Sequence, residues 1–261
     1  MSGEEQYPEQ ERKGLGNPLF SFITALQFLT IAPSIIRRAF TPRELGQATG
    51  FFPLVGLALG GILLGANYLL VLILPVQVRA ALVLALWVLL SGALHLDGFL
   101  DACDGLLGGM TPEERLRILR DERVGAFALA GGILLMLTKF TSLSALPAWS
   151  MALLLAPVLG RWGMTLAIVI FPYAREKGLG RDMKDRANWL QALLATVIAL
   201  LAAWLSGHWL GLIALVVAGG VTWGMATFTL RRIPGLTGDI YGAINELVEA
   251  AVLLTFIIGK G

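Results

Sequence analysis

Three aspartates, Asp97, Asp101 and Asp104, stand in the stretch His95–Gly109, HLDGFLDACDGLLGG, directly after a long apolar run. Their spacing is i, i+4, i+7. On a helix turning ~100° per residue, this places them within roughly 60° of arc on one face. Three carboxylates that close repel one another unless a cation sits among them. Hard divalent cations take carboxylate oxygens, and Mg²⁺ is commonly shared between a few carboxylates and substrate phosphates. The chemistry on offer is therefore phosphoryl transfer at a membrane, with a divalent metal held by Asp97, Asp101 and Asp104. The plainer alternative is a solvated acidic helix face at the membrane edge. Gly98, Gly105, Gly108 and Gly109 speak against it, because they weaken an isolated helix. They make sense where another helix or a bulky substrate approaches the backbone closely.

Other residues could join this chemistry. Asp239 lies in the Gly-rich turn GLTGD, just before a helical run, where backbone N–H groups suit a phosphate. Glu246 and Glu249 share one face of that run. Lys139 and Arg161 stand near the middle of apolar runs, and ionisable residues there usually face an internal cavity and mark function. The alternatives are an Arg161 paired with Glu246 or Glu249, and a Lys139 that snorkels to the interface. His95 falls about 160° from the aspartate face of a continuous helix and so points away from it. It reads as a supporting or substrate contact, with a core histidine as the alternative. His208 is assigned no role.

The elements that position these groups are apolar. Of 261 residues, 56% are hydrophobic and 15% charged, against about 25% charged in a soluble domain. Runs at Leu19–Ile36, Gly50–Leu74, Val76–Leu94, Gly125–Leu146, Trp149–Phe171, Trp189–Ser206, Trp209–Leu230 and Ala243–Ile258 approach the ~20 residues that span a bilayer. The fold class expected is all-α: a polytopic bundle of about seven or eight transmembrane helices, forming one catalytic membrane domain over residues 18–261. The first run is interrupted by Gln27, Thr30, Pro33 and Ser34, and is left between spanning and lying in the interface. In the second run Gly56, Gly60, Gly61 and Gly65 are spaced as in close helix contacts. Residues 1–17 are polar, lack the pattern of a cleaved signal peptide, and are expected to be a disordered tail. The single cysteine, Cys103, excludes an internal disulfide and a multi-cysteine metal site.

Thr111-Pro112-Glu113-Glu114 reads as a helix start. A short amphipathic surface helix is expected from there to Gly125, carrying Arg115, Arg117, Arg120 and Arg123. Charge orients the chain. With the acidic stretch inside, that helix and the loops holding Arg37, Arg38 and Arg43, residues 172–188, and Arg231 and Arg232 all face the cytoplasm. Only Arg79 and Lys260 fall opposite. The positive-inside rule favours this arrangement, and it brings the acidic stretch, the 172–188 loop and the 231–242 loop to one face.

Six segments, in order, are similar to one known family: ALQFLTIAP, FFPLVGLALG, HLDGFLDACDGLLGG, LRDERVGAFA, YAREKGLG and GLTGDIYGAINELVE. The chain resembles the cobalamin synthases, or adenosylcobinamide-GDP ribazoletransferases, from about Ala25 to its end. Arg120, Glu122 and Cys103 stand where the family commonly has lysine, serine and threonine. The resemblance implies a Mg²⁺-dependent transferase of the cytoplasmic (inner) membrane with its active site facing the cytoplasm. Its substrates would be adenosylcobinamide-GDP and α-ribazole or its 5′-phosphate, and GMP would leave. Asp97, Asp101, Asp104 and Asp239 are then the catalytic acids. Substrate contacts are expected from His95, Arg115, Asp121, Arg123, Lys139, Arg161, Arg175, Thr237, Gly238, Glu246 and Glu249. Among partners, the lipid bilayer is expected and nucleic acid is not. A homo-oligomer or a complex with other cobalamin-assembly enzymes stays open.

Two rivals are weighed. CDP-alcohol phosphotransferases also cluster aspartates at a membrane edge, but in a D-G-x-x-A-R pattern. Here Ala102 follows Asp101 directly, and no arginine comes before Arg115. A secondary transporter could use Arg161, Glu246 and Glu249, but such folds often carry internal repeats and none is evident.

Overall fold

A computed structural model describes residues 17–259. The expected tail lies outside the described residues except for Asn17, as does Lys260. Among the described residues the regular structure is helical: α1 Pro18–Leu29, α2 Pro42–Ala48, a 3₁₀ turn at Thr49–Phe51, α3 Phe52–Leu70, α4 Val76–Leu90, α5 Leu94–Gly108, α6 Pro112–Ile118, α7 Ala126–Ala145, α8 Ala152–Ile170, α9 Leu179–Arg186, α10 Trp189–Leu230 and α11 Gly238–Ile258.

Five of these elements are long and apolar enough to cross a membrane, or six if α4 and α5, bent 89° apart, count as one broken span. Helix α10 accounts for two of the expected runs. His208 interrupts it with φ 45° and ψ −121°. Trp162 Nε1 donates to Thr196 Oγ1 at 3.0 Å, and a Cβ on Gly219 would lie 3.5 Å from the same indole. A straight helix would hold residues 196 and 219 about 35 Å apart, so the chain doubles back at His208. The first run does not form a spanning helix. Its helix ends at Leu29 after 12 residues, too short to span. Gln27 instead holds the following loop, accepting from Ile36 N and donating to Ile36 O.

Helix α8 is the axis of the bundle, buried along most of its length and packed against α3, α10 and α11. Gly56 and Gly60 make the close approach expected of them, since a Cβ at either would meet α8 backbone within 2.5 Å. Gly61 and Gly65 face open space and have no such role.

Two short helices were not expected. Helix α2 starts with a full capping box between Thr41 and Glu44, the same threonine–proline–x–glutamate pattern that starts α6. Helix α9 forms inside the charged 172–188 loop. Conversely, α6 stops at Ile118 rather than reaching Gly125. Leu119 turns inward against Gly105, where a Cβ would sit 2.5 Å from its Cγ. Arg120 and Arg123 therefore lie on a loop, and Gly125 becomes the N-cap of α7.

Candidate active site

Helix α5 is continuous through its glycines, so the three aspartates do share a face. Its opposite side, His95, Gly98, Phe99, Ala102, Gly105 and Leu106, is buried. Helix α5 crosses α11 at two glycines. A Cβ on Gly98 would meet Asp239 O at 2.9 Å, and one on Gly242 would meet His95 O at 3.0 Å. This contact sets Asp97 beside the start of α11. Gly98→Ala is expected to push the helices apart at an overpacking cost of about 1–3 kcal/mol, read as a lower melting temperature in detergent together with reduced activity.

The loops expected on one face do meet. Tyr173 and Leu236 form a parallel bridge, with Ala174 N donating to Leu236 O and Leu236 N to Pro172 O, both at 2.8 Å. Arg175 Nη2 then reaches the Asp239 carboxylate at 2.8 Å and Leu119 O at 3.2 Å. Thr237 Oγ1 donates to the same Asp239 oxygen at 3.0 Å. One guanidinium thus ties the loop after α6 to the start of α11. Arg175→Lys keeps the charge but loses the planar fork, and is expected to lower activity and loosen the 119–125 loop, read as faster amide exchange there.

Two cavities of about 220 Å³ each flank Asp97, which lines both. One is mostly apolar and lies among α1, α5, α8, α9 and α11; His95, Gly238, Asp239 and Tyr241 also line it. The other is an acid cleft lined by Asp97, Asp101 and Asp104 and by the loop from Leu119 to Val124. The aspartates differ in what they already hold. Asp104 accepts from Gly125 N at 2.6 Å and Ala128 N at 2.9 Å, so it caps α7 from another helix. Asp239 is engaged by Arg175 and Thr237. The Asp97 and Asp101 side chains make no hydrogen bond or ion pair among the described residues.

No three His, Cys, Asp or Glu side chains among the described residues are gathered closely enough to enclose a metal. The donor set instead fits Mg²⁺ bound through one or two carboxylates, with substrate phosphates completing its shell. Asp97 and Asp101 are the two carboxylates available for that.

The remaining expected site residues divide. Arg123 pairs with Asp121 at 2.9 Å and holds its carboxyl down at about 2; both are on the cleft wall. Arg115 donates to Leu106 O and fastens α6 to the end of α5. Lys139, Arg161, Glu246 and Glu249 line neither cavity. They form a closed buried network: Lys139 Nζ to Glu246 at 2.5 Å and to Glu249 at 2.6 Å, and Arg161 to Glu249 at 2.9 Å. Asn245 donates to Glu249 at 2.9 Å, and Lys139 sits 4.8 Å from the centre of the Trp87 ring. The pairing alternative holds for Arg161. Lys139 does not snorkel. His95 sits on the core face and still lines the apolar cavity. Both its ring nitrogens, and the Oη of Tyr241, another residue of this lining, are buried without a hydrogen-bond partner among the described residues, at a typical cost of about 1–3 kcal/mol per group.

Sequence reasoning missed Tyr173, Tyr241 and Met183. The two tyrosines stack with centroids 6.1 Å apart, and Met183 and Tyr241 line the apolar cavity. The signal was their place inside or next to the motifs YAREKGLG and GLTGDIYGAINELVE.

Sequence comparisons bear on the chemistry. The model of a family described as cobalamin-5-phosphate synthase matches residues 21–257. A protein of Pseudomonas syringae pv. syringae named adenosylcobinamide-GDP ribazoletransferase is 42% identical over 246 residues, covering 92% of this chain and 100% of the relative. Proteins of the same name from Desulfitobacterium hafniense and Roseiflexus sp. are 39% and 36% identical, covering 88% and 99% of this chain and 93% and 97% of the relatives. No solved structure matches the chain.

Proposed function

The chain belongs to the cobalamin-5-phosphate synthase family, and we infer that it joins GDP-activated adenosylcobinamide to α-ribazole or its 5′-phosphate with release of GMP. The observation that carries the geometry of this reading is Asp97, a free carboxylate at the junction of an apolar cavity and an acid cleft. A ribose hydroxyl of the ribazole attacks the cobinamide-side phosphorus of the diphosphate. The new P–O bond forms as the phosphoanhydride bond breaks, and GMP carries away the bridging oxygen. Such transfers depend mostly on positioning and charge neutralisation.

Asp97 and Asp101 would hold Mg²⁺ at the diphosphate, with Asp104 as the third wall of the cleft. When bound, the cation supplies charge neutralisation for the phosphoryl oxygens and the leaving GMP. Asp97 also lies where it can take the hydroxyl proton. Arg120 and Arg123 border the cleft and suit the phosphate oxygens, which arginine binds through a planar fork. Arg175 holds Asp239 and the cleft loop in register. The buried network fixes α7 and α8 against α11 rather than touching substrate.

The test is GMP release by the purified protein in detergent with Mg²⁺, GDP-cobinamide and α-ribazole. CMP release from a CDP-alcohol, with no GMP from the cobinamide substrate, would move the assignment to the rival enzyme class.

The concentration of arginine and lysine in the loops around the site supports a reading in which it faces the cytoplasmic side of the inner membrane. In a Cys103→Ser background, Gly178→Cys is expected to react with an impermeant maleimide only after the cytoplasmic face is exposed, and His208→Cys only from the other face. The reverse pattern would invert the topology.

A further inference from the structure

The apolar cavity beside Asp97 contrasts with the cleft next to it, and its walls identify what it takes. At about 220 Å³ it is smaller than the about 300–1,000 Å³ of sites that enclose a whole drug-sized ligand. It has room for a ring system and is far too small for a corrin. Phe28, Met164, Ile168 and Met183 supply apolar walls, and methionine side chains adapt to a flat ring. The polar groups on this lining are His95, Asp97, Asp239 and Tyr241; Asp239 is already held by Arg175 and Thr237, and Asp97 is shared with the acid cleft. A benzimidazole presents an apolar edge and a single acceptor nitrogen. Tyr241 Oη is a buried hydroxyl with no partner among the described residues, on a residue that lines this cavity.

We propose that this cavity receives the aromatic base of the ribazole, whose unsubstituted ring nitrogen accepts a hydrogen bond from Tyr241. The assignment rests on the transferase reading above and deepens it. It also explains the shared position of Asp97. A base seated here leaves its ribose at the junction, with the attacking hydroxyl facing the acid cleft and the diphosphate beyond it.

The experiment is a pair of saturation curves for GMP release, one varying α-ribazole and one varying GDP-cobinamide, on wild type, Tyr241→Phe and Met183→Trp. Losing one neutral hydrogen bond corresponds to about a two- to ten-fold change in affinity. Tyr241→Phe is therefore expected to raise KM for α-ribazole two- to ten-fold and to leave KM for GDP-cobinamide unchanged. Met183→Trp fills the cavity and is expected to raise the ribazole KM further, with the same selectivity. A wild-type ribazole KM in Tyr241→Phe, or a rise confined to GDP-cobinamide, would overturn the assignment. The wild-type curves, read before any variant, separate this failure from failure of the transferase reading: no GMP from wild type sinks the reaction itself, whereas wild-type turnover with an unmoved ribazole KM sinks only the pocket.

Discussion

Glu249→Gln is expected to destabilise the folded protein by about 3–5 kcal/mol, the cost of removing one partner from a buried ion pair. Glu249 is fully buried and receives Lys139, Arg161 and Asn245 at once. Glutamine keeps the shape and removes the charge. Lys139 then keeps only Glu246, and Arg161 loses its ion-pair partner deep in the bundle. The measurement is thermal or denaturant unfolding in detergent micelles, with folded yield as a second readout. A paired variant distinguishes loss of charge balance from loss of packing. Lys139→Met with Glu246→Gln removes one charge of each sign and leaves Arg161–Glu249 intact. It is expected to cost much less than Glu249→Gln, because replacing a buried pair by uncharged groups is often close to neutral. Equal losses in the two variants would mean that the network stabilises by shape alone.

Asp101→Asn is expected to lower kcat by about 10²- to 10³-fold, the scale seen when one preorganised electrostatic group is removed from a transition state. The melting temperature should not fall, because the Asp101 side chain makes no hydrogen bond or ion pair among the described residues and its charge is repelled by the neighbouring carboxylates. Raising Mg²⁺ should recover part of the rate, since the substitution weakens cation retention rather than erasing the cleft. Asp104→Asn provides the contrast. It is expected to lose activity and also about 1 kcal/mol of stability, because a carboxamide keeps one acceptor oxygen where the carboxylate serves Gly125 N–H and Ala128 N–H with two. Full wild-type activity of Asp101→Asn at low Mg²⁺ would remove the cation from this acid.

Much of this arrangement was readable from the sequence, for identifiable reasons. The long helices follow hydropathy, so α3, α7, α8 and the two legs of α10 fall within a few residues of their apolar runs. The aspartate face followed from spacing alone. The convergence of the acidic stretch with the 172–188 and 231–242 loops followed from where arginine and lysine concentrate. The errors arise where a distant partner decides. Nothing near Asp104 announces that it holds the N-cap of a helix 21 residues later. Lys139 meets Glu246 across 107 residues of chain, so an isolated lysine in an apolar run looked available when it was already bound. Helix α6 ends early because Leu119 fills the space left by Gly105, a contact between elements that periodicity within one element does not record. Helix α2 is different: its capping box was visible, and only the shortness of the helix hid it.

Asp104 has one more consequence. Its carboxylate fastens the first turn of α7 and also lines the acid cleft, so both duties fall on the same two oxygens. By linkage, any effect that a cation drawn to this carboxylate would have on the first turn of α7 is returned, by the same factor, as an effect of that turn on the cation. Further along the same helix is Lys139, locked to Glu246 and Glu249. If a cation engages Asp104, occupancy of the cleft and the seating of a membrane helix would be two ends of a single equilibrium.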